Sequence, residues 1–305
     1  MIVTFTRNRL RIMHRQGVTA GTVCVMAALT MLAGLLGWAS QRTIVGVYDE
    51  SVKLLAQRGL PAPPNPFLLK PQLSMLSNMS IYVTMIGALV AVIAGHLAVA
   101  DDHSTGTGRL VFSRPVHRQA YATAVITAPG VLLGLAMAIS ALLSAVAFTA
   151  VNKAVPSAGD VARLVGFALL SWVYLWLFAV VGSLMLLATR RRSLGLLTAI
   201  GVWLVVTFAV PQFTSGLRPS QSLNPIVDPV SSSQTFFKVT QRARPWSIAE
   251  QFKEASGRIL QTAPTETAVH TIGRVAPIVM ALVIVAGLFS LVIARHDYAR
   301  SMTDD

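Results

Sequence analysis

Six runs of apolar residues, each about as long as a bilayer core is thick, constrain this chain more than any other feature. In a window of about 19 residues they fall at Val18 to Ala39, Met79 to Ala100, Tyr121 to Ala150, Leu164 to Ala188, Leu194 to Val210 and Val275 to Ala294. A hydrocarbon core about 30 Å thick takes about 20 apolar residues in helical form. In lipid a helix satisfies its own backbone polar groups, so helices are the expected spanning elements. The chain is therefore predicted to be all-α, a polytopic membrane protein with six transmembrane helices, residues 1–305 forming one transmembrane domain. A single soluble core would not divide into separate runs of this length. Nor would it manage with 12% charged residues, since soluble domains carry roughly 25%.

Two runs need qualification. The third is long for one crossing, and Pro129 and Gly130 interrupt it; Tyr121 to Ala128 is expected to lie along the interface, with a span beginning near Gly130. The first follows Arg7, Arg9, Arg11 and Arg15, like the basic start of a signal peptide. It exceeds a cleavable apolar region of about 7 to 15 residues, however, and its exit WASQR lacks small residues at both cleavage positions, so a retained anchor is predicted. Cys24, the single cysteine, lies in this run; it is expected to be a small buried packing residue and allows no intrachain disulfide.

Six spans place both termini on one side. With the N-terminus in the cytoplasm, the inner segments hold Arg7, Arg9, Arg11, Arg15, Arg109, Arg114, Arg118, Arg190, Arg191, Arg192, Arg295 and Arg300. That distribution follows the positive-inside tendency and predicts cytoplasmic termini. The formal charge of +13 is thus read as topology and contact with lipid headgroups, with no nucleic-acid partner implied.

Two extracytoplasmic loops are sizeable, 40–78 and 212–271. The first contains LPAPPNPFLLKP, whose prolines favour an extended path. In the second, PWSIAEQFKEASGRIL has Ser247 three residues before Glu250, a capping-box pattern. Ile248, Phe252, Ala255 and Ile259 follow at helical spacing. An amphipathic helix is predicted, lying on the membrane surface or the other outer loop, or offering a face to substrate or an external partner.

Several chemistries are missing. STGTGR begins as GxG, but Val111 stands where GxGxxG needs its third glycine, and no Gly-Lys pair exists for a Walker A loop. No HExxH or GxSxG motif is present. His96 and His103, seven apart beside Asp101 and Asp102, are a conceivable metal pair, though boundary histidines are usually interfacial. Ser140 and Ser144 have no base nearby in sequence and are expected to help helices pack. The cores of all six runs lack Asp, Glu, Lys and Arg, which argues against a self-powered proton relay. Small residues are plentiful, with Gly130 and Gly134 at GxxxG spacing and Ala33 with Gly37, so close helix packing is expected.

The inner loop between the second and third runs, ADDHSTGTGRLVFSRPVHRQ from Ala100 to Gln119, is the remaining candidate for function. Asp101 and Asp102 end one helix, Gly106 and Gly108 allow a sharp bend, and Pro115 can open the next helix, which together predict a short rigid elbow over 101–119.

This loop resembles the signature of the ABC transporter type-2 permeases. Asp102 matches the acid that ends the second span, Thr105, Gly106 and Thr107 a small-Gly-Thr triplet, Ser113, Arg114 and Pro115 a Ser-Arg-Pro, and Arg118 an arginine three further on. Two positions depart: the family usually has Glu at Asp102 and Gly-Lys where this chain has Thr123 and Ala124. The six spans and the loop's place among them extend the resemblance over nearly the whole chain. The outer loops also resemble, loosely, those of permeases that assist nitrous oxide reductase maturation. The resemblance implies a non-enzymatic permease subunit of an exporter in a prokaryotic plasma membrane, working as a homodimer or heterodimer. It implies an ATPase partner, two copies to a dimer, which binds the ATP and Mg, so this chain carries no cofactor. ATPase coupling would fall to Asp102, Thr105, Gly106, Thr107, Arg114, Pro115 and Arg118. The alternative is a membrane-anchored assembly or scaffold protein whose outer loops bind an external partner; a membrane enzyme built on His96 and His103 is a third.

Overall fold

The computed structural model describes residues 2–61, 72–104, 118–189, 191–214, 239–240, 242–261 and 268–295, and among them every regular element is helical. In chain order these are α1 (Ile2–Arg15), α2 (Val18–Gln57), a 3-10 turn (Gln72–Leu76), α3 (Ser77–Tyr82), a π turn (Val83–Gly87) and α4 (Ala88–Ser104). Then come α5 (Arg118–Asn152), α6 (Ala158–Thr189), α7 (Arg192–Leu204), a π turn (Val205–Ala209), α8 (Val210–Thr214), a 3-10 turn (Arg244–Trp246), α9 (Ile248–Ile259) and α10 (Ala268–Arg295). Six stretches are long and apolar enough to cross a membrane: Val18–Gln57, Leu73–Ala100, Gln119–Asn152, Ala158–Thr189, Arg192–Thr214 and Gly273–Ala294. The side that carries the 101–119 loop is called inner.

The fourth span, α6, is the axis of the bundle, and α4 packs on it most closely. A Cβ added to Gly95 would strike the Ala179 backbone, and one added to Gly182 would strike the Val92 carbonyl. The two glycines thus let the backbones of α4 and α6 touch on both sides of one crossing, and Ser183 Oγ donates to the Gly95 carbonyl at 2.7 Å across it. Without a hydrophobic force between helices in lipid, such close approach and interhelical hydrogen bonding are what hold spans together.

The third span runs as one helix. Tyr121 to Ala128, expected along the interface, forms instead the inner stretch of α5, with Pro129 inside the helix. The proline removes the donor that would have served the Val125 carbonyl and crowds the carbonyls before it, and α6 lays two indoles along this stretch, one bonded on each side of the proline. Trp176 Nε1 donates to the Ile126 carbonyl and Trp172 Nε1 to the Gly130 carbonyl, both at 2.8 Å. Neighbouring side chains that supply hydrogen bonds are what make proline tolerable in a span. The two rings stack with centroids 5.2 Å apart, and Gly130 and Gly134 leave room for them: a Cβ at either would press on Trp176 or Trp172. The GxxxG spacing therefore seats tryptophans, and the helix backbones stay further apart.

The first span differs from expectation at two points. Its helix continues past Ala39 to Gln57, into the segment 40–78 expected to be a loop, because polar residues in water end an apolar run without ending a helix. It stops in a Schellman motif: Leu60 N donates to Leu55 O at 3.0 Å and Gly59 N to Ala56 O at 3.1 Å, with Gly59 at φ 68. Most of LPAPPNPFLLKP lies outside the described residues. Cys24 is exposed, not buried, because the span packs through a different stripe, Met26, Leu29, Ala33 and Gly37. Ala33 and Gly37 do serve packing, and Gly37 abuts the Met75 carbonyl. Ser140 and Ser144 are both buried in α5.

The predicted amphipathic helix is α9, but its capping box does not form. The Ser247 hydroxyl makes no cap bond, and Glu250 turns to Arg244, with Nε 3.1 Å from its Oε2. The reciprocal box occurs at the start of α6, where Ser157 N donates to Asp160 Oδ2 at 3.1 Å and Asp160 N to Ser157 Oγ at 3.2 Å. Helix α9 does not lie on a membrane surface; it sinks into the outer end of the bundle. Phe252 stacks on Tyr174 of α6 at 4.3 Å, and Ala249, Phe252 and Ala255 are fully buried. An ionic chain fixes it from outside: Arg244 Nη2 lies 2.5 Å from Glu254 Oε1, and Glu254 also pairs with Arg274 of α10.

Replacing Gly95 with Ala should cost about 1–3 kcal/mol, the usual effect of forced overpacking. Gly201→Ala, at a glycine facing open space, should be neutral or slightly stabilising; melting temperatures in detergent compare the two. Burial pushes the Glu250 carboxyl above its ordinary value, outweighing the opposing effects of Arg244, Thr214 and Lys253. A carboxyl raised in the folded state favours folding most below its unfolded value, near 4.5, and that contribution is lost as pH rises through the raised value. Melting temperature should therefore fall over this window as pH rises, and Glu250→Gln should flatten the slope.

Candidate functional site

The inner loop is reached by two helices. Helix α4 carries the chain out through Asp101 and Asp102 and ends at Ser104, and Arg118 opens α5 on the return. Asp102 and Arg118 thus occupy the two stems. Thr105, Gly106, Thr107, Arg114 and Pro115, and with them most of the predicted elbow, lie outside the described residues.

The stems themselves are braced from three sides. Val99 and Ala100 of the outgoing stem and Tyr121, Ala122 and Val125 of the returning one share an apolar cluster with Val180, Leu184 and Leu187 of α6 and with Phe289 and Ile293 of α10. On another side lies α1. Its Met13 packs with Ala94 and Ala98 of α4 and with Ala128 and Leu132 of α5, and Thr6 and Thr127 share a hydrogen bond of 3.1 Å.

Between these contacts sits Arg9, only 7% exposed. Its Nη1 donates to the Ala98 carbonyl at 2.9 Å, and its guanidinium lies 5.2 Å from the centroid of the Tyr121 ring. One buried cation therefore grips the outgoing stem three residues before Asp101 and the returning stem three residues after Arg118. A charge at this depth is costly unless hydrogen-bonded, and the carbonyl and the aromatic face together supply that compensation. Sequence reasoning counted Arg9 with Arg7, Arg11 and Arg15 as topology. The overlooked signal is its phase: Phe5, Arg9 and Met13 recur every four residues, so Arg9 shares the face of α1 that carries apolar side chains, whereas Arg7, Arg11 and Arg15 are exposed.

No metal centre emerges among the described residues, which hold no group of three or more His, Cys, Asp or Glu side chains. His96 is buried, and its Nδ1 has no hydrogen-bond partner. The side chains of Asp101, Asp102 and His103 lie outside the described set.

A family model described as ABC-2 family transporter protein matches residues 13–295, from the end of α1 to the end of α10. The chain belongs to the ABC-2 transporter family. No curated protein matches it. Membership makes the chain a multi-pass membrane protein and a permease subunit of an ABC transporter, a family of transport subunits that implies an ABC ATPase partner. Six helices able to span a membrane agree with that membership.

Arg9→Met is expected to lower stability by about 1–3 kcal/mol, as for other charged hydrogen bonds. In a double-mutant cycle with Tyr121→Leu, thermal denaturation in detergent should reveal a coupling of at least about 0.5 kcal/mol. Additive losses would mean that Arg9 does not link the stems.

Proposed function

We propose that this ABC-2 permease couples ATP hydrolysis by a separate ATPase subunit to export, through the elbow 101–119. The observation that carries the proposal is the ordered set Asp102, Thr105, Gly106, Thr107, Arg114, Pro115 and Arg118 in the loop between the second and third spans of a family member. The permease works as a dimer, homomeric or heteromeric, with two ATPase copies that bind ATP and Mg. It lies in a prokaryotic plasma membrane with both termini in the cytoplasm, as its inner arginines favour.

The mechanism follows from the stems. Closure of the ATPase pair pushes on the elbow, and the push reaches α4 and α5 together because Arg9, Met13 and the cluster around Tyr121 tie their inner ends. Helix α4 passes the tilt to α6 at the Gly95–Gly182 crossing, where backbone contact leaves little room for slip. Packed elements of this kind switch between discrete arrangements and do not deform smoothly. The apolar face of α9 is already buried on the chain's own spans, which favours the permease over a scaffold that would offer that face to an external partner.

The test is recruitment of the cognate ABC ATPase subunit. Asp102→Arg, Arg118→Glu and Val116→Pro, singly and combined, should abolish co-purification in mild detergent while leaving the permease monodisperse. Recruitment that survives all three would place docking elsewhere.

A further inference from the structure

Between the outer halves of α5 and α6 lies an apolar groove of about 570 Å³. Past Gly134, α5 turns Ala138, Ala141 and Ala145 toward α6, and these small side chains leave a gap opposite Val165 and Ala168. Trp172 closes the inner end. Its indole N–H is already given to the Gly130 carbonyl, so the ring offers the groove no free donor. The rims are open, with Leu142 69% and Leu169 55% exposed, on faces that a spanning helix turns to lipid. From Gly134 to Ala145 the groove runs about 16 Å along the helix, close to the depth of one leaflet in a core about 30 Å thick. A site with no polar partners does not retain water.

We propose that this groove seats one acyl chain of a phospholipid from the leaflet opposite the elbow, with the lipid phosphate at Lys153. Size argues for a slender occupant. The volume holds on the order of twenty methylene groups, each near a water molecule's share of about 30 Å³. A helix 10–12 Å wide and about 16 Å long occupies well over 1,000 Å³, so a span of a second copy would lie over the groove without filling it, whereas an acyl chain fills it. The groove walls are also far smaller than the roughly 800 Å² per partner that a stable protein interface takes. Charge selects the lipid class. Lys153 follows the last residue of α5, about two turns beyond Ala145, in a left-handed conformation at φ 51. It is exposed and forms no ion pair among the described residues. The acid across the connection, Asp160, is already held by Ser157 and by Arg163 at 3.9 Å. The connection between the spans therefore presents one uncompensated cation about two helical turns beyond the outer end of an acyl-sized slot, where the phosphate above a seated acyl tail would lie. The site does not depend on how the elbow functions.

The full-length protein, reconstituted in phosphatidylglycerol vesicles with a trace of the same lipid carrying a diazirine on one acyl chain, provides the test. After photolysis, mass spectrometry should find label concentrated in Ala138–Ala145 and Val165–Trp172, above the exposed face of α10 at Val283, Ile284 and Leu288. Ala141→Trp, which fills the slot, should bring the label down to the α10 level; Ala145→Leu serves the same purpose if that variant does not fold. Lys153→Gln should weaken labelling about fivefold, the worth of one Lys near an anionic surface. Uniform labelling of all exposed faces, or unchanged labelling in both filled variants, would overturn the proposal. So would an efficient disulfide between two copies carrying Ala138→Cys, which would make a second chain the occupant.

Discussion

The rest of the bundle depends on backbone contact between α4 and α6. Hydrophobic burial cannot order spans in lipid, since a leucine against lipid and a leucine against another helix differ little. At Gly95 and Gly182 the spans gain van der Waals contact that only the absence of two Cβ atoms permits, together with one hydroxyl-to-carbonyl bond from Ser183. Around that axis α5, α7, α9 and α10 take their places. The braced stems and the helix α9, whose Phe252 stacks on Tyr174 of α6, are thus attached to one closely packed pair.

The spans were legible because apolar length is a one-dimensional property. Their ends were not: α2 continues through Arg42, Asp49 and Lys53, where hydropathy falls but helix persists. Which side of a span packs was also hidden, because a helix that is apolar all round shows no preferred face. Hence Cys24 was expected inside and lies outside. The decisive glycines escaped notice because Gly95 and Gly182 pair across helices, whereas the GxxxG pattern looks along one; that pattern led to Gly130 and Gly134, which hold tryptophans. The helix at α9 was found from its 3.6-residue repeat, but not its depth, which is set by Phe252 meeting an aromatic partner far away in sequence.

For the candidate site, the residues of the elbow were legible as a motif, and the family match agrees with the resemblance they carry. The bracing of the stems was not. Arg9 is an ordinary member of a basic cluster until the fold brings Ala98 and Tyr121 to it from positions 89 and 112 residues further on. Residue type predicted charge at the membrane surface; the phase with Phe5 and Met13 sets Arg9 apart from Arg7, Arg11 and Arg15, and tertiary contact alone supplies its partners.

Helix α2 has a geometric consequence of its own. Its 40 residues make a rod about 60 Å long, and a bilayer core takes up only about 30 Å of it. Trp38 with Arg42 stacked over it at 5.5 Å marks where the rod leaves the apolar layer, since amphipathic rings favour that boundary. The remaining length extends beyond that layer, so a rotation of the first span by about 10° would sweep the far end near Gln57 through about 5 Å. A small angular change too slight to register among packed side chains is displayed, magnified, on the opposite side of the membrane.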